Sequence, residues 1–458
     1  MKKNIDMLNG RLSSALLRYT IPIMLTSVLQ LLFNAADLVI VGRFCGSIYV
    51  GAVGATGAIT NLIINLFIGL SVGAGVTVAH GLGGKQDDNV HRTVHAALPT
   101  ALVGGAILTV IGVIFSEDFL KMMNTPENVL PHSTIYMQIY FGGMIFCMVY
   151  NFCASILRAA GDTKSPLIFL TLSGVINVIL NFIFVTVFHM NVDGVALATT
   201  ISQAISATLV VIALMRRTDA CRLYLRKMRF YKAELLKIIR IGLPAGIQSS
   251  VFAISNVIIQ SSINSFNSDA IIAGNSAAGN IEGFVYVIMN SFHQTAVNFT
   301  GQNLGARKFE RIKKVYAQCN GFVFLFGATC SLVMWYFGEH LLSIYITDST
   351  EAIAHGMVRL TCIGLPYFLC GLMEVSTGSI RGLGSSFIPM VISILGVCGI
   401  RIVWIYTIFQ IPAYHTPTYL YLSYLFSWTG TLLFQSLAFM ILYKKKANEH
   451  RLSLSQYT

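Results

Sequence analysis

The chain has 458 residues, 55% of them hydrophobic and 11% charged, with a formal net charge of +12. A soluble protein carries about 25% charged residues, so this composition excludes a soluble enzyme and describes an integral membrane protein. Nine cysteines, none in a CxxC pair and most in apolar runs, give no metal or disulfide framework.

The first apolar run, residues 15–42, has no small-residue cleavage site after it and reads as a retained span. Within it Thr26, Gln30, Asn34 and Asp37 are spaced four, four and three apart, so a helix places them on one stripe. Burying a carboxylate in the bilayer costs roughly 2.5–3.5 kcal/mol on insertion scales. Asp37 is therefore either a structural carboxylate paired with a neighbouring helix or a cation or proton site in a transport path, and the second reading is favoured.

Further apolar runs follow at 52–80, 94–116, 130–157, 166–188 and 193–215. Residues 216–240 are polar and carry nine basic side chains, which reads as a linker or an amphipathic helix lying on anionic lipid. Six more runs occupy 239–263, 270–299, 315–337, 352–380, 387–410 and 418–443. Each is near or above the ~18 residues a spanning helix needs. The expected fold is an all-α membrane protein of twelve transmembrane helices. Its expected parts are an N-terminal lobe 1–216, a linker 217–238, a C-terminal lobe 239–445 and a tail 446–458.

Of the 31 Lys and Arg residues, 27 fall at the termini or in loops after even-numbered spans, leaving Arg43, Lys121, Arg359 and Arg401 elsewhere. The positive-inside rule then puts both termini in the cytoplasm of a plasma-membrane protein. The opposite loops lean acidic, with Glu117, Asp118, Glu127, Asp193, Asp269, Glu339, Asp348 and Glu351. The basic excess is thus a topology signal, and nucleic acid is excluded as a partner.

The two halves repeat. Arg18 to Pro22 recurs as Arg240 to Pro244, and Leu82-Gly83-Gly84-Lys85 as Leu304-Gly305-Ala306-Arg307, both shifted by 222. Arg158, Gly161 and Pro166 recur as Arg381, Gly384 and Pro389, shifted by 223. Six helices per half make this a parallel repeat, with the lobes expected to be related by a pseudo-two-fold axis along the membrane normal. Such a pair fits alternating access rather than a simple pore.

The acids within spans are Asp37, Glu282 and Glu374, and none has a copy in the other half. In the first half Asn177 and Asn181 lie one turn apart, and Thr199 opens a polar stripe with Thr200, Gln203 and Ser206. Asp37, the two asparagine carbonyls and a threonine hydroxyl form a hard oxygen set, suited to Na⁺ or to proton exchange on Asp37. In the second half Asn275, Glu282, Tyr286, Asn290 and His293 share one helix face, and Cys370, Glu374, Thr377 and Arg381 another. A carboxylate beside aromatic rings suits an organic cation; Glu282 or Glu374 could equally pair with an arginine. His293 and His80 read as interfacial.

The chain resembles the multidrug and toxic compound extrusion (MATE) family of cation-coupled antiporters over both halves. The carriers are Ile21-Pro22 with Asp37, Gly83-Gly84-Lys85, Leu157 to Asp162, Asp193-Gly194 with Ala198-Thr199, and Arg381 to Gly384. The resemblance implies a V-shaped pair of six-helix lobes that export organic, often cationic and amphipathic, compounds and drugs in exchange for Na⁺ or H⁺. It maps the cation site, including any Na⁺, onto Asp37, Asn177, Asn181 and Thr199. Some members have a carboxylate where Asn181 stands. A family acid on the seventh helix has no counterpart in Gln248 to Phe252, and another falls at Cys370, one turn before Glu374. Gln30, Asn34, Glu282, Tyr286 and Glu374 are the substrate-cleft candidates. The expected protein is a monomer in lipid, with no cofactor beyond the coupling ion.

The sequence has no GxxxxGK[ST] phosphate loop, so ATP hydrolysis is not built in. A lipid-linked oligosaccharide flippase of the same architecture is the nearest alternative, but the charges within spans are mainly acidic, with Arg401 an exception. A prenyl-transfer enzyme would need clustered aspartates for a Mg²⁺–diphosphate, and no span holds a DxxxD or DDxxD cluster.

Overall fold

The structure is a computed structural model that describes residues 4–347 and 349–455. Lys2, Lys3, Asp348 and the tail residues 456–458 lie outside the described residues. Among those described, every regular element is helical.

The helices α1 (Leu12–Phe44), α2 (Ser47–Gly83) and α3 (Asp87–Met122) come first. The fourth span, α4, is broken at Gly143 into Leu130–Gly142 and Met144–Ala159, which meet at 46°. α5 (Lys164–Thr186) and α6 (Val192–Met215) complete the first six. The second set is α7 (Lys232–Asn264), α8 (Asp269–Gly305), α9 (Phe309–Tyr336), α10 (Thr350–Gly382), α11 (Phe387–Gln410) and α12 (Pro417–Ser455). With the bent α4 pair counted as one, eleven of these are long and apolar enough to cross a bilayer. The remaining one, α8, is 37 residues long but is diluted by Asn275, Glu282, Asn290, His293, Asn298 and Asn303. The described residues are thus all-helical in their regular structure, with twelve long helical elements in the places the apolar runs predict.

The starts of several helices follow from local chemistry. Ser268 Oγ accepts from Ile271 N–H (3.3 Å) at the head of α8, and Ser349 Oγ from Ala352 N–H (3.1 Å) at the head of α10. Asp162 takes Ser165 N–H (3.0 Å) and Ser165 Oγ–H (2.6 Å) as α5 begins. α10 and α11 are not uniform. A π-helical turn at Leu360–Gly364 runs into the 3₁₀ turn Leu365–Tyr367 in α10, and α11 carries a π-helical turn at Ile394–Gly399.

The repeat in the sequence is a repeat of backbone conformation. Lys85 and Arg307 both take the left-handed region, at φ 54° and 56°, and Gly161 and Gly384 both sit at φ 85°. The closing hydrogen bonds match as well: Gln86 N–H to Gly81 O (2.9 Å) and Lys308 N–H to Asn303 O (2.8 Å). Gly161 N–H reaches Arg158 O (2.9 Å), and Gly384 N–H reaches Arg381 O (2.8 Å). These left-handed turns stop α2, α4, α8 and α10 by the same geometry.

The chain divides into two compact units that do not follow the expected boundaries. The first holds residues up to Asp6 and Ile21–Ser250; the second holds Met7–Thr20 and Val251–Thr458. Each unit therefore includes the opening turns of a helix whose remainder lies in the other.

In the first unit the core centres on Leu108, Leu120, Phe141, Met148, Phe152 and Ile156. Of the two forms expected for this stretch, linker or amphipathic helix, residues 217–231 do not take the second; beyond the single 3₁₀ turn Leu225–Lys227 they are irregular. Cys221 and Leu223 are buried in that core, and His95 Nε2 accepts from Tyr224 N–H (3.0 Å). Burial pushes the Asp219 carboxyl up, but the Arg217 guanidinium clasping it wins and holds it below the usual range. α2 and α7 cross through two GxxxG motifs. A Cβ on Gly69 would lie 2.2 Å from Gly246 N, and one on Gly73 would lie 2.2 Å from Ile238 O. Only glycine lets the two backbones approach this closely.

In the second unit residues 7–20 are held against α8 and α9. Met7 O accepts from Asn303 Nδ2 (3.1 Å) and Arg311 Nε (3.1 Å), Tyr19 stands edge-on to Phe299 (5.3 Å), and the Thr20 and Thr295 hydroxyls meet at 2.8 Å. At an offset of 222, Thr20 corresponds to Gly242 and Thr295 to Gly73, which meet in the α2–α7 crossing. The same helix crossing is built twice, once from glycines and once from hydroxyls.

Candidate functional site

α1, α5 and α6 of the first unit converge around Asp37. A Cβ on Gly174 would sit 1.9 Å from Phe33 Cε2, so α5 can lie close against α1 there. One turn further along both helices, Asp37 meets Asn177 and Asn181. Asn181 Nδ2 donates to Asp37 Oδ1 at 2.5 Å. The Asn177 amide satisfies its neighbours when its NH₂ donates to Asp37 Oδ1 (2.8 Å) and its oxygen accepts from Thr199 N–H (3.3 Å). Thr199 Oγ1 in turn donates to Val195 O (3.0 Å). The asparagines are buried, and Asp37 and Thr199 are half-buried.

One atom of this cluster is unsatisfied. Asn181 Oδ1 is buried and, among the described residues, accepts no hydrogen bond. An orphaned carbonyl beside a carboxylate, a second amide oxygen and a hydroxyl is a set of hard oxygen donors, the kind that binds Na⁺ or receives a proton. The described residues contain no group of three or more His, Cys, Asp and Glu side chains able to hold a transition metal.

The other polar residues of the α1 stripe do not join this cluster. Thr26 Oγ1 is buried and donates to Pro22 O (2.7 Å). Gln30 and Asn34 are exposed and make no side-chain hydrogen bond among the described residues.

The second-unit acids have partners of their own. Glu282 on α8 is 3% exposed and accepts two hydrogen bonds from Arg359 on α10: Nε to Oε1 at 3.1 Å and Nη2 to Oε2 at 2.7 Å. Arg359 Nη1 also donates to Asn275 Oδ1 (2.5 Å), which accepts from Tyr421 Oη (3.2 Å) as well. Glu282 is thus neutralised inside its own unit by an arginine 77 residues away, the pairing the sequence leaves open.

Glu374 belongs to a different chain of contacts. His293 is not interfacial but buried, and its Nδ1 lies 2.7 Å from Glu374 O and 3.2 Å from Glu374 Oε2. Its Nε2 faces Arg381 Nη1 at 3.3 Å. His293 thus sits between the Glu374 carboxylate and the Arg381 guanidinium and links the two. Tyr286 is half-buried and its hydroxyl accepts from Asn290 Nδ2 (3.3 Å). The structure therefore brings Asp37, Asn177, Asn181 and Thr199 together and places Glu282, Tyr286 and Glu374 in separate networks of the other unit.

The MatE family model matches twice, over residues 22–183 and 244–407. The chain belongs to the MATE family. The two matches begin 222 residues apart, at the prolines of the repeated motif. Among curated relatives, the probable multidrug resistance protein YoeA of Bacillus subtilis is 27% identical over 392 residues, covering 84% of each chain. The multidrug export protein MepA of Staphylococcus saprophyticus is 21% identical, covering 85% of this chain and 89% of its own. A MATE protein crystallised in a bent conformation superposes with a TM-score of 0.88 at 19% identity, covering 99% of this chain and all of the other. An outward-facing MATE multidrug resistance transporter superposes with a TM-score of 0.84 at 20% identity, both chains covered in full. The fold is that of the MATE transporters, and the protein is a multi-pass membrane protein of that family.

Proposed function

We propose that this MATE protein exports organic, often cationic and amphipathic, compounds in exchange for Na⁺ or H⁺. The observation that carries this reading is the unsatisfied Asn181 Oδ1 beside Asp37, Asn177 and Thr199. A cation entering the cluster gains that oxygen and the Asp37 carboxylate together. A proton on Asp37 gives the carboxyl a donor to offer to the same oxygen. Either event changes the charge that the first unit presents to a cargo cation, which is the coupling an exchanger requires. The names of the relatives as multidrug resistance and export proteins favour drug-like cargo. No phosphate-binding loop is present in the sequence, so the driving force would be an ion gradient, about 2.3 kcal/mol per charge per 100 mV of potential.

The protein works as a monomer in the cytoplasmic membrane with both termini in the cytoplasm, the side that collects 27 of its 31 basic residues. Its N-terminal and C-terminal lobes alternate access, with Gln30, Asn34, Tyr286 and Glu374 as cargo contacts. Glu282 is the weakest of those candidates, because reaching cargo would cost it the Arg359 pair. Purified protein in vesicles, loaded with ethidium and given separate Na⁺ and pH gradients, tests the reading. Efflux driven by one of the two gradients supports exchange and names the ion; efflux that ignores both contradicts it.

A further inference from the structure

Arg401 lies fourteen residues past Phe387 and nine before Gln410, in the interior of the 24-residue apolar helix α11. The π-helical turn Ile394–Gly399 ends two residues before it, and such turns recur at functional sites. The side chain is 4% exposed. Its guanidinium carbon stands 3.7 Å from the Tyr424 ring centroid and 5.8 Å from that of Trp428. Its Nε donates to Ser427 Oγ at 3.1 Å. Tyr367 and Tyr424 each meet Trp428 edge to face, at 5.3 and 5.4 Å.

Arginine carries five N–H donors. One is used by Ser427. Among the described residues no other hydrogen bond reaches Arg401, and no carboxylate lies within ion-pair distance of it. The contrast with Arg359 is instructive, since that arginine is closed by Glu282 on two nitrogens and by Asn275 on the third. Both are buried arginines of the second unit, and only one has been given its anion. Stacking on Tyr424 occupies the face of the Arg401 guanidinium and leaves its edge, where the remaining donors point, without a partner. The edge of a planar guanidinium matches a carboxylate in two parallel hydrogen bonds.

We propose that Arg401, with the rings of Tyr367, Tyr424 and Trp428, forms a receptor in the second unit for an aromatic carboxylate. The carboxylate accepts from the terminal nitrogens of Arg401, and the attached ring packs against Trp428 and Tyr367. The proposal rests on the export reading, because a buried receptor in an exporter is a contact for cargo. It extends that cargo from organic cations to compounds that carry an anionic group on an aromatic frame. Asp37 and its partners, in the other unit, take no part in it.

The test is a pair of titrations of the full-length protein in lipid nanodiscs, with protein-free discs as the blank. One ligand is 1-naphthoate; the other is 1-naphthamide, the same ring without the charge. The wild type is expected to prefer naphthoate by about tenfold or more, the worth of charge-assisted hydrogen bonds in a buried site. The preference should fall to near one in Arg401→Gln and be partly kept in Arg401→Lys. Equal binding of the two ligands by the wild type overturns the proposal, as does a preference that survives Arg401→Gln. Trp428→Leu, which keeps the charge, covers the case in which Arg401→Gln does not assemble. It should weaken naphthoate by about fivefold through loss of the ring contact, and unchanged affinity counts against the receptor. Ethidium efflux by the wild type under the two ion gradients reads the export function separately. Its absence overturns that reading and leaves the naphthoate ratios to judge Arg401.

Discussion

Asp37 stands among leucines, valines and isoleucines, so its amide partners decide what the carboxylate can do. Two donors from α5 reach one of its oxygens, while Asn181 Oδ1 waits without a donor. Removing the charge by Asp37→Asn is expected to abolish ion-driven efflux and to leave insertion and gel-filtration behaviour as in the wild type. Asn181→Ala removes both a donor to Asp37 and the free oxygen. It should weaken the coupling ion by about tenfold or more, read as a shift in the Na⁺ or pH dependence of efflux, with residual transport at saturating ion; an unshifted dependence would exclude Asn181 from the site. The Glu282–Arg359 pair is a different kind of group, since it is bidentate and buried. Arg359→Met should cost about 3–5 kcal/mol by stranding a buried carboxylate, and Arg359→Met with Glu282→Leu should recover most of it. Thermal melting of the two variants in detergent checks this, and equal losses would show that the pair is not coupled. The polar stripe made Asp37 legible in the sequence, and spacing put Asn177 and Asn181 on one helix face. The pairing of Glu282 with Arg359, and the seat of His293 between Glu374 and Arg381, were not legible. Partners 77 and 88 residues apart leave no mark on local periodicity.

The helices themselves were easier to read. Apolar runs located all twelve, and the composition also explains why α8 is the least apolar of them: it carries the polar face on which Asn275, Glu282 and His293 sit. What the runs could not show is how closely two helices approach. The GxxxG pairs at 69–73 and 242–246 were present as a signal, and they carry the α2–α7 crossing. Gly246→Leu should therefore prevent recovery of folded protein, because its Cβ would fall 2.1 Å from Leu66 O. Gly54→Ala, with nothing within 4 Å, should be tolerated. Expression and gel filtration of the two variants decide it; equal behaviour would mean that the crossing can relax. The left-handed turns make a second test at this scale. Gly384→Ala forces a side chain into φ 85° and should cost roughly 1–2 kcal/mol in melting experiments. Gly161→Ala meets the same strain and also brings its Cβ to 2.6 Å from Ile5 O, so it should cost more; an equal or smaller loss would mean that the Ile5 contact relaxes.

For the molecule as a whole, the repeat is the feature that sequence and structure share most fully. Offsets of 222 and 223 residues in the sequence return as matched φ angles, matched closing hydrogen bonds and matched helix crossings. The expected lobe boundaries near 216 and 239 did not anticipate that residues 7–20 and 232–250 would each be counted with the other half's helices. Hydropathy marks where a helix runs but not which neighbours bury it. Against this repeated frame the charged residues differ between halves: among the described residues, a half-buried aspartate beside a spare amide oxygen in one, and closed acid–base pairs with Arg401 held by Ser427 and aromatic rings in the other. That asymmetry is the basis for assigning ion exchange to the first unit. The most direct test is ethidium efflux from vesicles carrying wild-type or Asp37→Asn protein, with Na⁺ and pH gradients imposed one at a time. The expected result is efflux that follows one gradient in the wild type and neither in Asp37→Asn. Gradient-driven efflux that persists in Asp37→Asn at the wild-type rate would contradict the assignment.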